Sequence, residues 1–124
     1  MPVLKGFGSY ADLPAEKIND KITRRVMAGE QGMIVWWDIK AGGHAAAHSH
    51  PHEQLVWMVT GRMDFRIGEQ KMSMGPGDVA VIPGGVEHEG FFPEDTLVMD
   101  IFAPPRQDFL DGGPPPYMVP PKKD

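Results

Sequence analysis

Residues 42–61 read GGHAAAHSHPHEQLVWMVTG, and four of the chain's five histidines fall between His44 and His52. An apolar run follows at once. On a strand, side chains two apart share a face and lie roughly 6.5–7 Å from each other. His48 and His50 at that spacing can lean toward one point, and Gln54 has the same parity. Val56 and Met58 continue that face, while Leu55, Trp57 and Val59 line the other. With both faces apolar, the run reads as a strand buried on both sides between stacked sheets. Neutral imidazole is the commonest protein metal ligand near neutral pH. Two such groups hold a divalent ion weakly, so further ligands must come from elsewhere in the chain.

The fifth histidine supplies one. His88 stands in GDVAVIPGGVEHEGFF, residues 77–92, where glycine and proline fix a turn that delivers it at the start of a new strand. His44, followed by three alanines, reads as a surface residue. His52 stays open between an exposed group, a supporting group and a substitute ligand.

Outside these stretches the pattern is one of short strands. Ile22–Ala28, Gly32–Lys40, Glu53–Thr60, Arg62–Ile67, Gln70–Met74, Val79–Ile82, Val86–Phe91 and Thr96–Phe102 are separated by Gly, Pro and Asp turn signals. Regular short strands of this kind predict an all-β sandwich or barrel. With 124 residues there is room for one core: an arm over 1–20, a barrel over 21–104 and a proline-rich tail over 105–124. In the arm, Asp12 and Pro14 are suited to starting a short helix around Pro14–Ile18, with an irregular arm as the other reading. The tail cannot join a central strand. It is expected to run extended over the surface, anchored by Phe109-Leu110 or Tyr117-Met118, or to be disordered at its end.

Composition excludes several functions. A net charge of −5 with only short basic clusters, Arg24-Arg25 and Lys122-Lys123, argues against nucleic acid. No cysteine is present, which removes thiolate metal sites and cysteine nucleophiles. Apolar runs such as Met33–Trp37 are too short to span a bilayer, and MPVLKGFGSY lacks a signal-peptide core, so no membrane role and a cytoplasmic location are expected.

A second constellation lies in VMDIFAPPR, residues 98–106. Val98, Asp100 and Phe102 share a face, and an inward Asp100 is costly unless it is paired or hydrogen-bonded. It reads either as half of an ion pair with Arg106 that pins the strand end, or as an acid/base carboxylate beside the metal. In the second reading Arg106 grips a substrate carboxylate in bidentate fashion and Phe102 forms a wall.

The two histidine stretches resemble the paired signature motifs of the cupin superfamily. The first runs Gly42, five residues, His48-x-His50, three residues, Gln54, six residues, Gly61; the second runs Gly77, five residues, Pro83-x-Gly85, two residues, His88, three residues, Phe92. Two positions depart from the family pattern: Gln54 stands for a glutamate and Phe92 for an asparagine. The resemblance implies a double-stranded β-helix, the small jelly-roll barrel, with a metal inside one end held by His48, His50, Gln54 and His88. Because a carboxamide is neutral, the ion keeps its full charge, which favours Lewis-acid work on an anionic, oxygen-rich ligand. Zn, Ni, Mn and Fe all suit the donor set.

The Asp100, Phe102 and Arg106 arrangement, together with HSHPHEQ, resembles a group of small cupins that act in pectin and alginate breakdown. They convert cyclic 4,5-unsaturated monouronates to linear ketonised sugars. That resemblance implies Asp100 and Arg106 as catalytic, Phe102 and Arg106 as substrate-binding, and a small sugar acid as the partner molecule. An iron-dependent dioxygenase and a non-catalytic small-molecule-binding barrel are the alternatives. The latter is favoured if Asp100 and Arg106 pair with each other and Met58, Met63 or Met99 plug the pocket. Of Trp36 and Trp37, which face opposite ways, one is expected inside. Small barrels commonly pair through sheet edges, so a homodimer is expected.

Overall fold

A computed structural model of the chain describes residues 5–112 and 114–118. The strands are β1 (Glu16–Lys17), β2 (Ile22–Ala28), β3 (Met33–Ile39), β4 (Gly43–His48), β5 (Gln54–Thr60), β6 (Met63–Ile67), β7 (Gln70–Met74), β8 (Val79–Ile82), β9 (His88–Phe92) and β10 (Thr96–Phe102), and a short helix α1 (Gln107–Leu110) follows. They form a six-stranded sheet, ordered β1-β2-β3-β10-β5-β8, and a four-stranded sheet, ordered β4-β9-β6-β7, with every pairing antiparallel. From β3 onward the chain passes repeatedly from one sheet to the other, which is the jelly-roll barrel expected from the resemblance. Among the described residues, no helix is long and apolar enough to cross a membrane.

Alternation builds the core. In β2, β3 and β10 every second residue is buried, and Val35, Ile39, Met58 and Ile82 are at most 1 % exposed. Each such side chain contributes about 1.5–3 kcal/mol relative to an exposed one. Strand β10 lies between β3 and β5, with Asp100 opposite Val35 and Val56, and Phe102 opposite Gln54. This register carries Asp100, Phe102 and Gln54 together to one end of the barrel interior.

Glycine closes the first motif for a steric reason. Gly61 has φ +86°, and a Cβ there would run into the Asp95 carbonyl and Thr96, so only glycine fits.

Several expectations need correction. The arm forms no helix at Pro14–Ile18; it makes a 3₁₀ turn at Tyr10–Asp12 and then β1, whose partner is β2. A free edge at β2 captures the arm, so β pairing overrides a weak local helix signal. The histidine segment itself contains a strand, β4, that the turn pattern had not marked. Strand β5 is buried on one face only: Leu55, Trp57 and Val59 are 37, 51 and 38 % exposed. Its outer face looks outward from the sheet rather than into a second layer. Trp37 is the inward tryptophan, while Trp36 lies outside, edge-on against Tyr10 of the arm.

The tail is not simply extended. After α1 it returns in a 3₁₀ turn at Pro116–Met118, with Phe109 and Met118 buried against the core as anchors. Phe109 meets Trp37 and Phe102 edge-on and sits between two guanidinium groups, Arg24 at 5.0 Å and Arg106 at 3.9 Å from its ring centre. Residues 119–124, which include Lys122-Lys123 and the end of the tail, lie outside the described residues.

Candidate metal centre

Cross-strand pairing assembles the histidines more than the same-strand spacing does. His48 ends β4 and is the register partner of His88, which begins β9, so their rings lie 4.2 Å apart between centres. His50 is already beyond the strand, in the turn that leads to β5. That turn is locked to the second motif, because the Gly85 N–H donates to the His50 carbonyl at 2.7 Å. A Cβ on Gly84 would strike the Pro51 carbonyl oxygen, which explains the small residue at that point of the second motif.

One ring nitrogen from each of His48, His50 and His88 lies within 4.8 Å of the others. The opposite nitrogens are committed. Nδ1 donates to the Ala46 carbonyl in His48 at 2.7 Å, to the His52 carbonyl in His50 at 3.0 Å, and to the Val86 carbonyl in His88 at 2.9 Å. A carbonyl only accepts, so each Nδ1 carries the proton and each Nε2 presents a lone pair.

Two features then point to a cation. The His88 Nε2 is buried with no hydrogen-bond partner among the described residues. The His50 Nε2 faces the Gln54 Oε1 at 3.1 Å, acceptor against acceptor, while the Gln54 side chain hydrogen-bonds Asp100. Such a contact is unfavourable until a positive centre sits between the two atoms. The residues present therefore fit a divalent ion with nitrogen and oxygen donors. Burial pulls the His48 imidazole down to about 4 and lowers His50 and His88 as well, with the Arg106 charge adding to the effect. All three are neutral at pH 7, which is the ligating form.

Asp100 lies inward, 8 % exposed, and accepts a hydrogen bond from the Trp37 indole Nε1 at 3.0 Å. Burial pushes its carboxyl up to about 7, against the opposing pull of Gln54, Trp37 and the Arg106 charge. It is therefore poised to take or give a proton near neutrality.

Arg106, also buried, does not pair with Asp100. Its Nε and Nη2 donate to the two carboxylate oxygens of Asp108 at 3.2 and 2.7 Å, and its Nη1 donates to the Tyr117 hydroxyl at 3.3 Å. Phe102 forms the wall beneath, 1 % exposed, with the His50 ring edge-on at 5.9 Å and the Arg106 guanidinium 5.3 Å from its ring centre.

His44 lies on the outside, stacked on Phe91 and bonded to Glu89 at 2.7 Å, as a surface residue. His52 stands apart from the triad, with its ring 6.4 Å from that of Phe102. Met58 packs in the core, while Met63 lines the cavity without plugging it.

Sequence reasoning missed Tyr117 and Asp108 as members of the site. Tyr117 stacks flat on His48, with ring centres 3.5 Å apart and planes 3° apart, although it was named only as a tail anchor. A partly open cavity bordered by His48, Gln54, His88, Asp100, Phe102 and Tyr117 has a volume of about 40 Å³.

Comparison with known proteins agrees with this geometry. The Cupin domain family matches residues 35–102. The 1-methylthio-D-xylulose 5-phosphate methylsulfurylase of Rhodospirillum rubrum is 27 % identical over 80 residues, covering 62 % of this chain, which spans about half (51 %) of that relative's length. The pectin degradation protein KdgF of Dickeya dadantii is 26 % identical over 102 residues, covering 80 % of this chain and 93 % of that one. The structure of KdgF from Halomonas sp. superposes with a TM-score of 0.80 at 27 % identity, covering 86 % of this chain and 99 % of the other. With the family match spanning more than half of its length and a jelly-roll barrel carrying a histidine triad at one end, the chain belongs to the cupin family.

Proposed function

We propose that this cupin opens and ketonises a small 4,5-unsaturated uronate at a centre made of His48, His50, Gln54 and His88. The observation that carries the proposal is the juxtaposition of a carboxyl titrating near 7, Asp100, with a neutral nitrogen and oxygen donor set and a buried arginine. The likeness to KdgF proteins from two organisms, which one of their names ties to pectin degradation, supports it.

A divalent ion, drawn from Zn, Ni, Mn or Fe, would be held by the three Nε2 atoms and the Gln54 oxygen, and would supply Lewis-acid polarisation of a substrate oxygen. The chain's own groups do the rest. Arg106 holds the carboxylate of the sugar acid. Asp100 in its ionised form takes the proton of the C1 hydroxyl; the bond from C1 to the ring oxygen breaks, leaving an aldehyde at C1 and an enolate across C4 and C5. Asp100 returns its proton to C4, which gives the linear ketone with atoms and charge in balance. Phe102 closes the pocket to water. A carboxyl near 7 suits both halves of this transfer, because it is neither too weak a base to take the proton nor too weak an acid to return it.

The test is to load the purified protein with each of the four metals, add an unsaturated monouronate, and follow the loss of its ultraviolet absorbance. Acceleration by at least one metal is expected, with a drop of roughly 10²–10⁴-fold in Asp100→Ala. No acceleration with any of them, or full activity in Asp100→Ala, defeats the proposal. Metal-dependent oxygen consumption would instead support the dioxygenase reading.

A further inference from the structure

The chain's own tail covers part of the site and occupies Arg106 in a way that conflicts with substrate binding. All three guanidinium nitrogens of Arg106 are engaged by tail groups: Nε and Nη2 by the Asp108 carboxylate, and Nη1 by the Tyr117 hydroxyl. The Asp108 pairing has the two-toothed form in which an arginine grips a free carboxylate ligand. At the same time the Tyr117 ring lies flat on His48, and Phe109, Met118 and Tyr117 border the cavity. That cavity, about 40 Å³, has room for roughly three water molecules at about 10–15 Å³ each. A six-carbon acid does not fit.

We infer that residues 107–112 and 114–118 form a displaceable cover in which Asp108 stands in for the substrate carboxylate on Arg106, and that a bound sugar acid takes its place. This rests on the reading of Arg106 as the carboxylate anchor.

The energetic asymmetry favours exchange. The Asp108 side chain is 54 % exposed, whereas that of Arg106 is 6 % exposed. Asp108 regains water easily when it leaves, while Arg106, fixed over Phe102 and Phe109, needs an anionic partner in any state. The barrel loops are joined backbone to backbone by the Gly85 to His50 bond, whereas the cover's backbone bonds are local turns and its Met118 carbonyl accepts from the Asn19 side chain at 2.8 Å. The cover therefore sets which acids enter: a ligand must carry a carboxylate to displace Asp108 and a body small enough to lie under Tyr117. A neutral sugar of equal size has nothing with which to replace the Asp108 contact.

The experiment uses the metal-loaded full chain and two probes that cannot react, saturated D-galacturonate and its neutral counterpart D-galactose. Binding is measured by calorimetry for the wild type, Asp108→Asn and Tyr117→Phe, and backbone hydrogen exchange over 107–118 is followed with and without each probe. Galacturonate is expected to speed exchange in 107–118 of the wild type, and galactose is expected to leave it unchanged. Asp108→Asn is expected to bind galacturonate roughly three- to tenfold more tightly, the gain from removing a competing carboxylate. Unchanged or weaker galacturonate binding in a folded Asp108→Asn, or unchanged exchange in the wild type at saturating galacturonate, overturns the inference. The two readings separate cleanly. If galacturonate releases the cover but no unsaturated uronate is opened, the proposed reaction falls and the cover stands. If uronates are opened while exchange in 107–118 stays constant, the cover falls alone.

Discussion

The two walls of the metal site are built by different means. On the barrel side, His48, His50 and His88 are each fixed by a hydrogen bond to a backbone carbonyl two residues away, and the loops that carry them are joined backbone to backbone. On the tail side, Tyr117 and Asp108 touch the site through side chains alone, from short helical turns held down chiefly by Phe109 and Met118. One wall is part of the sheet hydrogen-bond network, and the other is laid against it. Local stability differs accordingly, since elements with few backbone ties open at lower free energy than strands of a sheet. Under the proposed function, the difference assigns the chemistry to the frame and access to it to the cover.

The largest effect that can break this contrast lies in the frame. His88→Ala removes a buried donor and is expected to abolish metal retention and to lower uronate opening by at least roughly 10²-fold. Metal content by elemental analysis and the absorbance assay check it; a variant that keeps both would mean that the frame is not the housing. Stability comes next. Gly84→Ala drives a Cβ into the Pro51 carbonyl and is expected to cost about 2 kcal/mol in denaturant unfolding, whereas Tyr117→Ala is expected to cost less than about 1 kcal/mol. Equal losses would erase the distinction between the two walls.

The smallest effect sharpens it through pH. The His48 imidazole titrates at 6.5 when exposed and at about 4 here because it is buried, so the folded state resists protonation that the unfolded state accepts. The His48 contribution to stability is therefore full above about 6.5 and falls as the pH drops toward 4. Asp100, raised to about 7, acts in the opposite sense over the same window, so the effect is read in metal-stripped Asp100→Asn, whose melting temperature should fall from pH 6.5 to pH 4. Tyr117→Ala, by exposing His48, should make the fall shallower. A melting temperature of Asp100→Asn that is flat from pH 7 to pH 4 would show that the tail does not shield the imidazole.

What could be read from sequence follows the same division. Gly42, His48, His50, Gln54, Gly61, Pro83, Gly85 and His88 sit at fixed spacings because the turns between strands are short and sterically exacting, as Gly61 and Gly84 show. The strands at Ile22–Ala28, Gln70–Met74, Val79–Ile82 and Thr96–Phe102 were legible to the residue, since alternation and turn residues mark both ends. The outward exposure of Leu55 and Trp57 was not legible, because two apolar faces look alike whether or not a second layer covers one of them. Arg24, buried with its guanidinium bonded to Glu16 at 2.9 Å, reads in sequence as half of a basic pair. Tyr117 on His48 and Asp108 on Arg106 depend on where a proline-rich segment comes to rest, and no periodic pattern encodes that.

The bond between the Gly85 amide and the His50 carbonyl ties together the two turns through which β4 and β9 of one sheet lead into and out of β5 and β8 of the other. A cation gripping the finished cage would act as a seal rather than a seed: it would slow the escape from the native state far more than it would hasten arrival there.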